Sequence, residues 1–412
     1  MQTGHNGFFG NIALVILLLG LATIVYRCKN VKTESDYYSP EVLGTYENGE
    51  HYVGSQTCRE CHASIFKDYI NTAHFNTSAM ADSVHIKGSF KDGENKLDLK
   101  DVEFTMLAVK DSFYQHVRIK NRDVKIPPAK FDIVIGSGVR GQSYLNWDED
   151  ALYQLQASYY TPTDGWVNSP GYPTYYDEQR PVRDACLKCH FTFAQPIGNN
   201  PHGNRFNKNA MIYGIDCERC HGPSAKHVAF HRQNPGLKVA NYTLKIDSLP
   251  RQRRLDLCAQ CHSGLRNVLL KGGSFSYLPG EDLSTYSKNK SPSTAETTLD
   301  VHGNQYGLLI ESSCFKETNT MDCSSCHEPH KKERGNTAHF NNKCMNCHNT
   351  TLKMCSVSEA EKNEMSNSCI ACHMPAMPSR SMMVQLPQDS IETSFKIRTH
   401  LIAIYDKEHW VD

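Results

Sequence analysis

Seven copies of one short pattern, Cys-x-x-Cys-His, run through this chain of 412 residues. The first copy begins at Cys58 and the last ends at His373. In each copy, two thiols three positions apart are followed at once by an imidazole. Thiols at this spacing add across the vinyl groups of a porphyrin, and the next residue then reaches one face of its iron. The pattern therefore predicts seven covalently bound c-type haems.

The same residues give the predicted attachment and ligand sets, numbered haem 1 to haem 7 in chain order. The predicted thioether cysteines are Cys58, Cys61, Cys186, Cys189, Cys217, Cys220, Cys258, Cys261, Cys323, Cys326, Cys344, Cys347, Cys369 and Cys372. The predicted proximal iron ligands are His62, His190, His221, His262, His327, His348 and His373.

A zinc ion is the alternative to haem at paired Cys-x-x-Cys motifs. Zinc chemistry makes no demand on the residue after the second cysteine, whereas haem attachment does. Only 20 of the 412 residues are histidine, so a chance histidine is expected there about once in twenty. Its presence in all seven copies favours haem.

Composition bears on the fold and on partners. Hydrophobic residues make up only 39% of the chain, and buried porphyrins would supply the missing apolar surface. We therefore expect a mainly α-helical fold with much irregular structure and the haem array as its core. Because 44 basic residues balance 44 acidic ones, we expect no nucleic-acid partner.

Changes in composition and hydrophobic pattern divide the chain into five predicted segments. Residues 1–29 are a membrane-targeting segment, either a signal or an anchor, since 8–26 are almost all apolar and haem attachment requires export. A polar linker follows at 30–50, and 51–85 carry haem 1. Alternating strand-like runs and clustered aromatics predict a small β-rich insert at 86–180. Residues 181–412 carry haems 2–7, with a C-terminal tail that docks back.

Three of the 17 cysteines lie outside the motifs: Cys28, Cys314 and Cys355. In an oxidising compartment, the last two are candidates for a disulfide around the fifth and sixth motifs, or else are two separate thiols. Cys28 follows the apolar segment and is a candidate for lipid attachment. We expect a periplasmic or cell-envelope protein, exported and held at the membrane by its N-terminal segment or Cys28.

Ligands on the second face of each iron decide between electron transfer and catalysis. Apart from the seven proximal ligands, 13 histidines remain in the sequence. This number is enough to give every iron a second histidine ligand. His227 and His330 follow closely after motifs, which would place each beside a neighbouring haem. His202 is a further candidate, and Met374 and Met377 are either axial ligands or core residues. The predicted distal ligands are His74, His227, His231, His302, His330, His339 and His400.

Three runs of sequence resemble the multihaem cytochrome c superfamily: residues 213–223, 322–330 and 369–375. This superfamily includes cytochrome c nitrite reductase, hydroxylamine oxidoreductase and the tetrahaem carriers of ammonia oxidisers. The resemblance extends over 52–405 and is greatest to uncharacterised heptahaem envelope cytochromes of Gram-negative bacteria. It implies distal ligation by histidines placed like His227 and His330. The chain lacks the Cys-x-x-Cys-Lys motif of the nitrite reductases and the eighth haem of hydroxylamine oxidoreductase.

Electron transfer is the function that these features favour. We expect seven mostly bis-histidine haems to carry electrons from a membrane quinol-linked donor to a periplasmic or surface acceptor, in a chain that forms an oligomer or a subunit of a complex. The alternative is a multihaem reductase acting on a small nitrogen or sulfur compound at one five-coordinate haem. In that case a tyrosine and Arg140 or Arg180 would bind an anion.

Overall fold

The computed structural model describes residues 44–46, 49–178, 180–198, 200, 203–290, 299–348, 357–358, 363, 368–387, 389 and 391–409. All of these belong to a unit that runs from Pro40 to the end of the chain. None of the helices in these ranges has the length and apolar character needed to cross a membrane. The predicted targeting segment, with Cys28, lies outside the described residues.

Helices in the described ranges are short, and only α1 and α5 exceed nine residues. Five of these ten helices begin or end within a Cys-x-x-Cys-His motif, and α1 contains one. The α-helices are α1 (Ser55–Tyr69), α2 (Asp184–Leu187), α3 (Cys217–His221), α4 (Ala225–Gln233), α5 (Arg251–His262), α6 (Leu283–Tyr286), α7 (Gln305–Glu311), α8 (Ser313–Lys316), α9 (Thr337–Met345) and α10 (Cys369–His373).

The strands are more numerous and build several sheets. They are β1 (Ser78–Met80), β2 (Lys96–Asp98), β3 (Val102–Val109), β4 (Ser112–Ile119), β5 (Ala129–Lys130), β6 (Ile133–Ile135), β7 (Gly141–Asp148), β8 (Ala151–Gln154), β9 (Ala157–Tyr160), β10 (Gly165–Asn168), β11 (Arg180–Pro181), β12 (Phe191–Phe193), β13 (Ile212–Tyr213), β14 (Val268–Leu269), β15 (Ser287–Lys288), β16 (Ala376–Gln385) and β17 (Glu392–Arg398).

A four-stranded antiparallel sheet has the order β2-β3-β4-β5. Its central hairpin pairs β3 with β4 in continuous register from Val102 opposite Ile119 to Val109 opposite Ser112. Alternate side chains point to opposite faces of a strand, and at the start of β3 they alternate between buried and partly exposed. Phe104 is fully buried on the core face.

A nine-stranded sheet follows the order β1-β6-β7-β9-β10-β16-β17, with β8 pairing both β7 and β11. Aromatic side chains pack between this sheet and the four-stranded sheet. The rings of Phe131 and Tyr144 stack with their centres 4.6 Å apart, and Trp166 lies 5.5 Å from Tyr144. The Trp166 indole donates to the Ser89 carbonyl at 2.7 Å, so its one polar group is satisfied.

The C-terminal tail joins the same sheet. Strand β16 meets β10 through the pair Gln385 and Asn168, and β17 completes a hairpin with β16. The Phe395 ring packs edge-on against Tyr160, with ring centres 4.8 Å apart. Beyond β17 the backbone bonds to the seventh motif, since Ala403 N donates to the carbonyl of its histidine at 3.3 Å.

The expectation of a mainly α-helical fold is wrong, because strands are as prominent as helices and form extended sheets. The reason is local: a Cys-x-x-Cys-His motif needs only about one turn of helix to set its three side chains, so seven motifs call for little helix. Strand-forming residues between the motifs then set much of the architecture. Beside the haem array that the sequence predicts as the core, the described residues form two large apolar clusters of the protein's own side chains.

Candidate haem-binding site

The third, fifth and seventh motifs are tight turns that begin directly after a polar cap. Asp322, before the fifth motif, accepts from the backbone N–H of Ser325 at 3.2 Å, and Asp216 caps the third motif in a similar way at 2.7 Å. The backbone N–H of His327 then donates to the Cys323 carbonyl at 3.0 Å. This single turn places both cysteines and the histidine on one side of the backbone, as covalent haem attachment requires.

In the described part of the chain, four motif histidines face a second imidazole from elsewhere in the sequence. The two imidazole planes lie within 28° of parallel in three of the pairs, and they are inclined by 70° in the pair that contains His74. The pairs, with the distances between ring centres, are His62 and His227 (6.4 Å), His262 and His74 (6.1 Å), His221 and His330 (6.2 Å), and His327 and His400 (6.3 Å).

These separations test whether an iron ion fits between the rings. Metal–nitrogen bonds to imidazole are about 2 Å long, and a ring centre lies about 1 Å behind its nitrogen, so two imidazoles on opposite faces of one ion have centres about 6 Å apart. All four pairs have this spacing. By contrast, the rings of His227 and its neighbour His231 are only 4.6 Å apart, which leaves no such gap.

The four facing residues come from distant parts of the chain. His227 lies on α4, after the third motif, yet faces the first motif; His330 follows the fifth motif and faces the third. His74 follows α1 and faces the fourth motif. His400 follows β17 and faces the fifth. Each of these four predicted haem sites is therefore closed by a residue that belongs to another motif's segment.

Burial keeps several of these imidazoles neutral at pH 7, the form in which the ring nitrogen can bind a metal. Burial lowers the pKa of His74, His190, His221 and His400 to about 4 in each case. It also lowers the pKa of His62 and His327.

Hydrogen bonds fix which ring nitrogen remains free. His227 Nδ1 donates to the Asn241 carbonyl at 2.7 Å, and His373 Nδ1 donates to the Ala403 carbonyl at 2.8 Å. His262 Nδ1 donates to Gln305 Oε1 at 2.9 Å. With Nδ1 protonated and engaged, Nε2 carries the lone pair that can bind iron.

His190, in the second motif, hydrogen-bonds through Nδ1 to Thr77 Oγ1 at 2.8 Å. The predicted distal ligand His302 lies near enough that its charge contributes to the lowered pKa of His190. His348, in the sixth motif, is exposed. In the described ranges, no histidine ring stacks on that of His190, His348 or His373.

Two other predicted distal ligands have their ring nitrogens engaged. His231 Nε2 accepts from the Asn241 backbone N–H at 3.3 Å, and its ring lies beside that of His227. His339 Nε2 is 3.0 Å from Glu333 Oε1, within ion-pair distance but without hydrogen-bond geometry. Neither residue faces a motif histidine in the way that His227 does. His202 lies outside the described residues.

Of the two cysteines in the predicted disulfide, the structure describes only Cys314. Cys314 is a partly buried thiol at the start of α8, and burial raises its pKa. Cys355 lies outside the described residues, so the pairing stays a prediction. Met374 directly follows the seventh motif, and Met377 lies in β16 opposite Ile397.

Sequence reasoning missed the residues that orient the imidazoles and join the motifs. Glu218, inside the third motif, is only 3% exposed and accepts backbone N–H groups from Val53, Gly54 and Ser224 at 2.8–3.1 Å. Burial raises its pKa to about 7. Its place between two motif cysteines was the available signal, whereas acceptors such as Asn241 are too ordinary in sequence to be recognised.

Comparisons with known proteins point to one class. Residues 172–222, which include the second and third motifs, match the family model described as "Cytochrome c554 and c-prime". The multiheme cytochrome MtrA of Shewanella baltica (strain OS185) is 24% identical over 198 residues, which are 46% of this chain and 52% of that protein. The chain thus spans about half the length of this curated relative.

The crystal structure of the outer cell wall cytochrome OcwA has a similar fold. Its TM-score is 0.51 at 17% sequence identity, and the alignment covers 85% of this chain and 79% of OcwA. These matches make the chain similar to multihaem cytochromes, and its motifs carry the residues that c-type haem attachment requires. When bound, haem c supplies one-electron redox chemistry at its iron.

The side chains around the motifs are arranged differently from the ligands of a structural zinc site. A structural zinc ion needs four nitrogen or sulfur ligands converging on one point. Within the described ranges, no three His, Cys, Asp or Glu side chains converge in this way. Four motif histidines instead each face one imidazole across a gap, an arrangement that would hold a haem iron between the two rings.

Proposed function

We propose that this chain transfers electrons through seven covalently bound haems, one at each Cys-x-x-Cys-His motif. The observation that carries the proposal is the set of four imidazole pairs with ring centres 6.1–6.4 Å apart. Two histidines fill both faces of an iron and leave no position for a substrate, so such a centre exchanges electrons rather than binding a reactant.

Direct contacts between motifs support a continuous route. Glu218 of the third motif accepts from the Gly54 N–H at the start of the first motif's helix, at 2.8 Å. The Lys188 carbonyl of the second motif accepts from the Arg219 guanidinium of the third motif at 3.1 Å and lies 3.6 Å from the Cys261 sulfur of the fourth. Motifs 1, 3, 2 and 4 are thus linked in that order.

The remaining motifs extend the same series. Arg254, on the helix of the fourth motif, donates to Asp322, the cap of the fifth, at 2.5 Å. The charge of Lys343, before the sixth motif, acts on the second thiol of the fifth. The seventh motif's Cys369 N–H donates to Asn341 Oδ1 on α9 at 3.0 Å. We therefore propose the haem order 1-3-2-4-5-6-7, with haems 1 and 7 at its ends.

The cellular setting follows from the cofactor. Covalent haem attachment occurs outside the cytoplasm, and one protein of similar fold is named as an outer cell wall cytochrome. We propose that the chain works in the cell envelope, held at the membrane through its N-terminal segment. Its donor would be a membrane quinol-linked protein and its acceptor a periplasmic or surface protein.

A reductase remains the second candidate considered from the sequence, but Arg180 gives it little support. Its guanidinium lies 3.9 Å from the centre of the Tyr172 ring and donates to the carbonyls of Pro170 and Gly171. These contacts account for Arg180 as a residue that fixes a loop of the insert. An arginine engaged in this way is poorly placed to bind an anionic substrate.

Haem counting tests the proposed stoichiometry. The purified chain should contain seven haems by the pyridine haemochrome assay, because every motif has its full set of residues. Replacing both cysteines of one exposed motif, Cys344→Ala with Cys347→Ala, should remove one haem. Cys314→Ala is the matched control and should remove none. A wild-type count below seven would contradict the proposal.

A further inference from the structure

Carboxylates lie behind two of the paired histidines, whereas other histidines of the site have neutral oxygens in that position. Glu333 Oε2 is 3.4 Å from Nδ1 of His327, the proximal residue of the fifth motif. Glu328 Oε1 accepts from Nδ1 of His330 at 3.0 Å, and His330 faces the third motif. Both carboxylates therefore sit behind rings whose other nitrogen faces a predicted iron.

The neutral cases provide the comparison within the same chain. Nδ1 of His227 and Nδ1 of His373 donate to backbone carbonyls, and Nδ1 of His262 donates to the amide oxygen of Gln305. His190 hydrogen-bonds to the hydroxyl of Thr77. Haems 1, 2, 4 and 7 thus have a neutral partner behind at least one histidine.

Glu333 is the more buried of the two carboxylates and lies within ion-pair distance of His327, whereas Glu328 forms a hydrogen bond to His330. The Glu333 side chain is only 12% exposed, whereas that of Glu328 is 45% exposed. The Glu328 backbone N–H donates to Glu333 Oε1 at 3.0 Å and helps to hold the carboxylate against the His327 ring. His339 contacts the same oxygen at 3.0 Å. A carboxylate held in this way keeps its position relative to the ring.

A negative acceptor on Nδ1 makes an imidazole a stronger electron donor through Nε2. It also stabilises the extra positive charge of ferric over ferrous iron, and this effect is largest where the carboxylate is screened from water. A neutral carbonyl or amide has a weaker effect of the same kind. The reduction potential of a haem should therefore fall when the acceptor behind its histidine is a carboxylate.

We infer that Glu333 is a positioning residue that gives haem 5 a lower reduction potential than haems 1, 2, 4 and 7, with Glu328 acting in the same direction and more weakly on haem 3. This inference rests on the proposed bis-histidine haems. In the proposed order, haem 5 lies inside the series, so an electron crossing the chain passes a low-potential centre. Glu333 thereby controls the rate of passage between the two ends.

Complementary substitutions in the holoprotein test this inference. Redox titrations followed by low-temperature EPR would compare wild type, Glu333→Gln, Glu333→Asp and Gln305→Glu. Glu333→Gln should raise the midpoint of one haem by about tenfold in its reduction equilibrium constant, or about 59 mV for one electron. Glu333→Asp should restore part of the difference. Gln305→Glu, which places a carboxylate behind His262, should lower the midpoint of a different haem.

Glu311→Gln is the matched control, because Glu311 is exposed and pairs with Lys316 at 2.8 Å. It should leave every midpoint unchanged. Unchanged midpoints in Glu333→Gln, with all low-spin signals retained, would overturn the inference. If Glu333→Gln did not assemble, an unchanged midpoint in Gln305→Glu would overturn it independently. His400→Ala identifies the low-spin signal of haem 5; if that variant lost no such signal, the proposed ligation would fail instead.

Discussion

At the scale of single residues, the site depends on which of two neighbouring histidines faces an iron. His227 and His231 lie four positions apart on α4, so they occupy the same side of one helix. The His227 ring faces His62 across a gap of the right width, whereas His231 Nε2 accepts a backbone N–H. The two side chains therefore have different roles, although both are histidines on the same face of α4.

This difference gives a matched pair of variants. His227→Ala should open one face of haem 1 and convert one low-spin ferric haem into a high-spin haem in the EPR spectrum. His231→Ala should leave the number of low-spin haems unchanged. The opposite result, with a high-spin haem in His231→Ala alone, would assign the distal position to His231.

At the scale of elements, the four-stranded and nine-stranded sheets are held together by their own side chains. The core between these two sheets contains Phe131, Tyr144 and Trp166 in mutual ring contact. It also contains Phe104, which is fully buried, whereas Leu107 on the same strand is 36% exposed. The stability of this part of the fold therefore depends on the packing of its own side chains.

Accordingly, Phe104→Ala should destabilise the insert by about 3–5 kcal/mol, because it leaves a large cavity in a packed core. Leu107→Ala, three residues along β3, should cost no more than about 0.5 kcal/mol. Hydrogen exchange of the β3 and β4 amides in the holoprotein measures both effects. Equal protection in the two variants would contradict this account of the core.

The β3–β4 hairpin also marks what the sequence could predict. Alternating residues predicted strands at 104–109 and 113–119, and the strands run over Val102–Val109 and Ser112–Ile119. Strand β16 was missed because Pro378 and a run of serine and methionine residues obscure any alternation. Its pairing with β17 continues across an irregularity between Pro378 and Met383. Pairing with a distant partner, rather than local propensity, decides such a strand.

At the scale of the whole molecule, the seven motifs were readable because each is local, but their partners were not. His74 and His262 are 188 positions apart, so only the folded chain brings them together. The helical expectation failed for the related reason that motif count does not fix helix content. The folded chain also revealed the acceptors behind several of the rings, which sequence spacing does not encode.

The distribution of buried side chains also fits a core that is shared with haem. Among the described residues of 299–348, which carry the fifth and sixth motifs, the buried hydrophobic side chains are Val301 and Leu308. The insert, by contrast, has a dense aromatic core. Bound porphyrins would supply the apolar surface that the motif-bearing part of the protein lacks.

The central claim is that both faces of the haem irons are filled by histidine. Low-temperature EPR of the fully oxidised holoprotein, with haem quantified on the same sample, measures this most directly. The account predicts low-spin ferric signals for at least haems 1, 3, 4 and 5, whose histidine pairs are in place. Fewer than four low-spin haems per chain would contradict it.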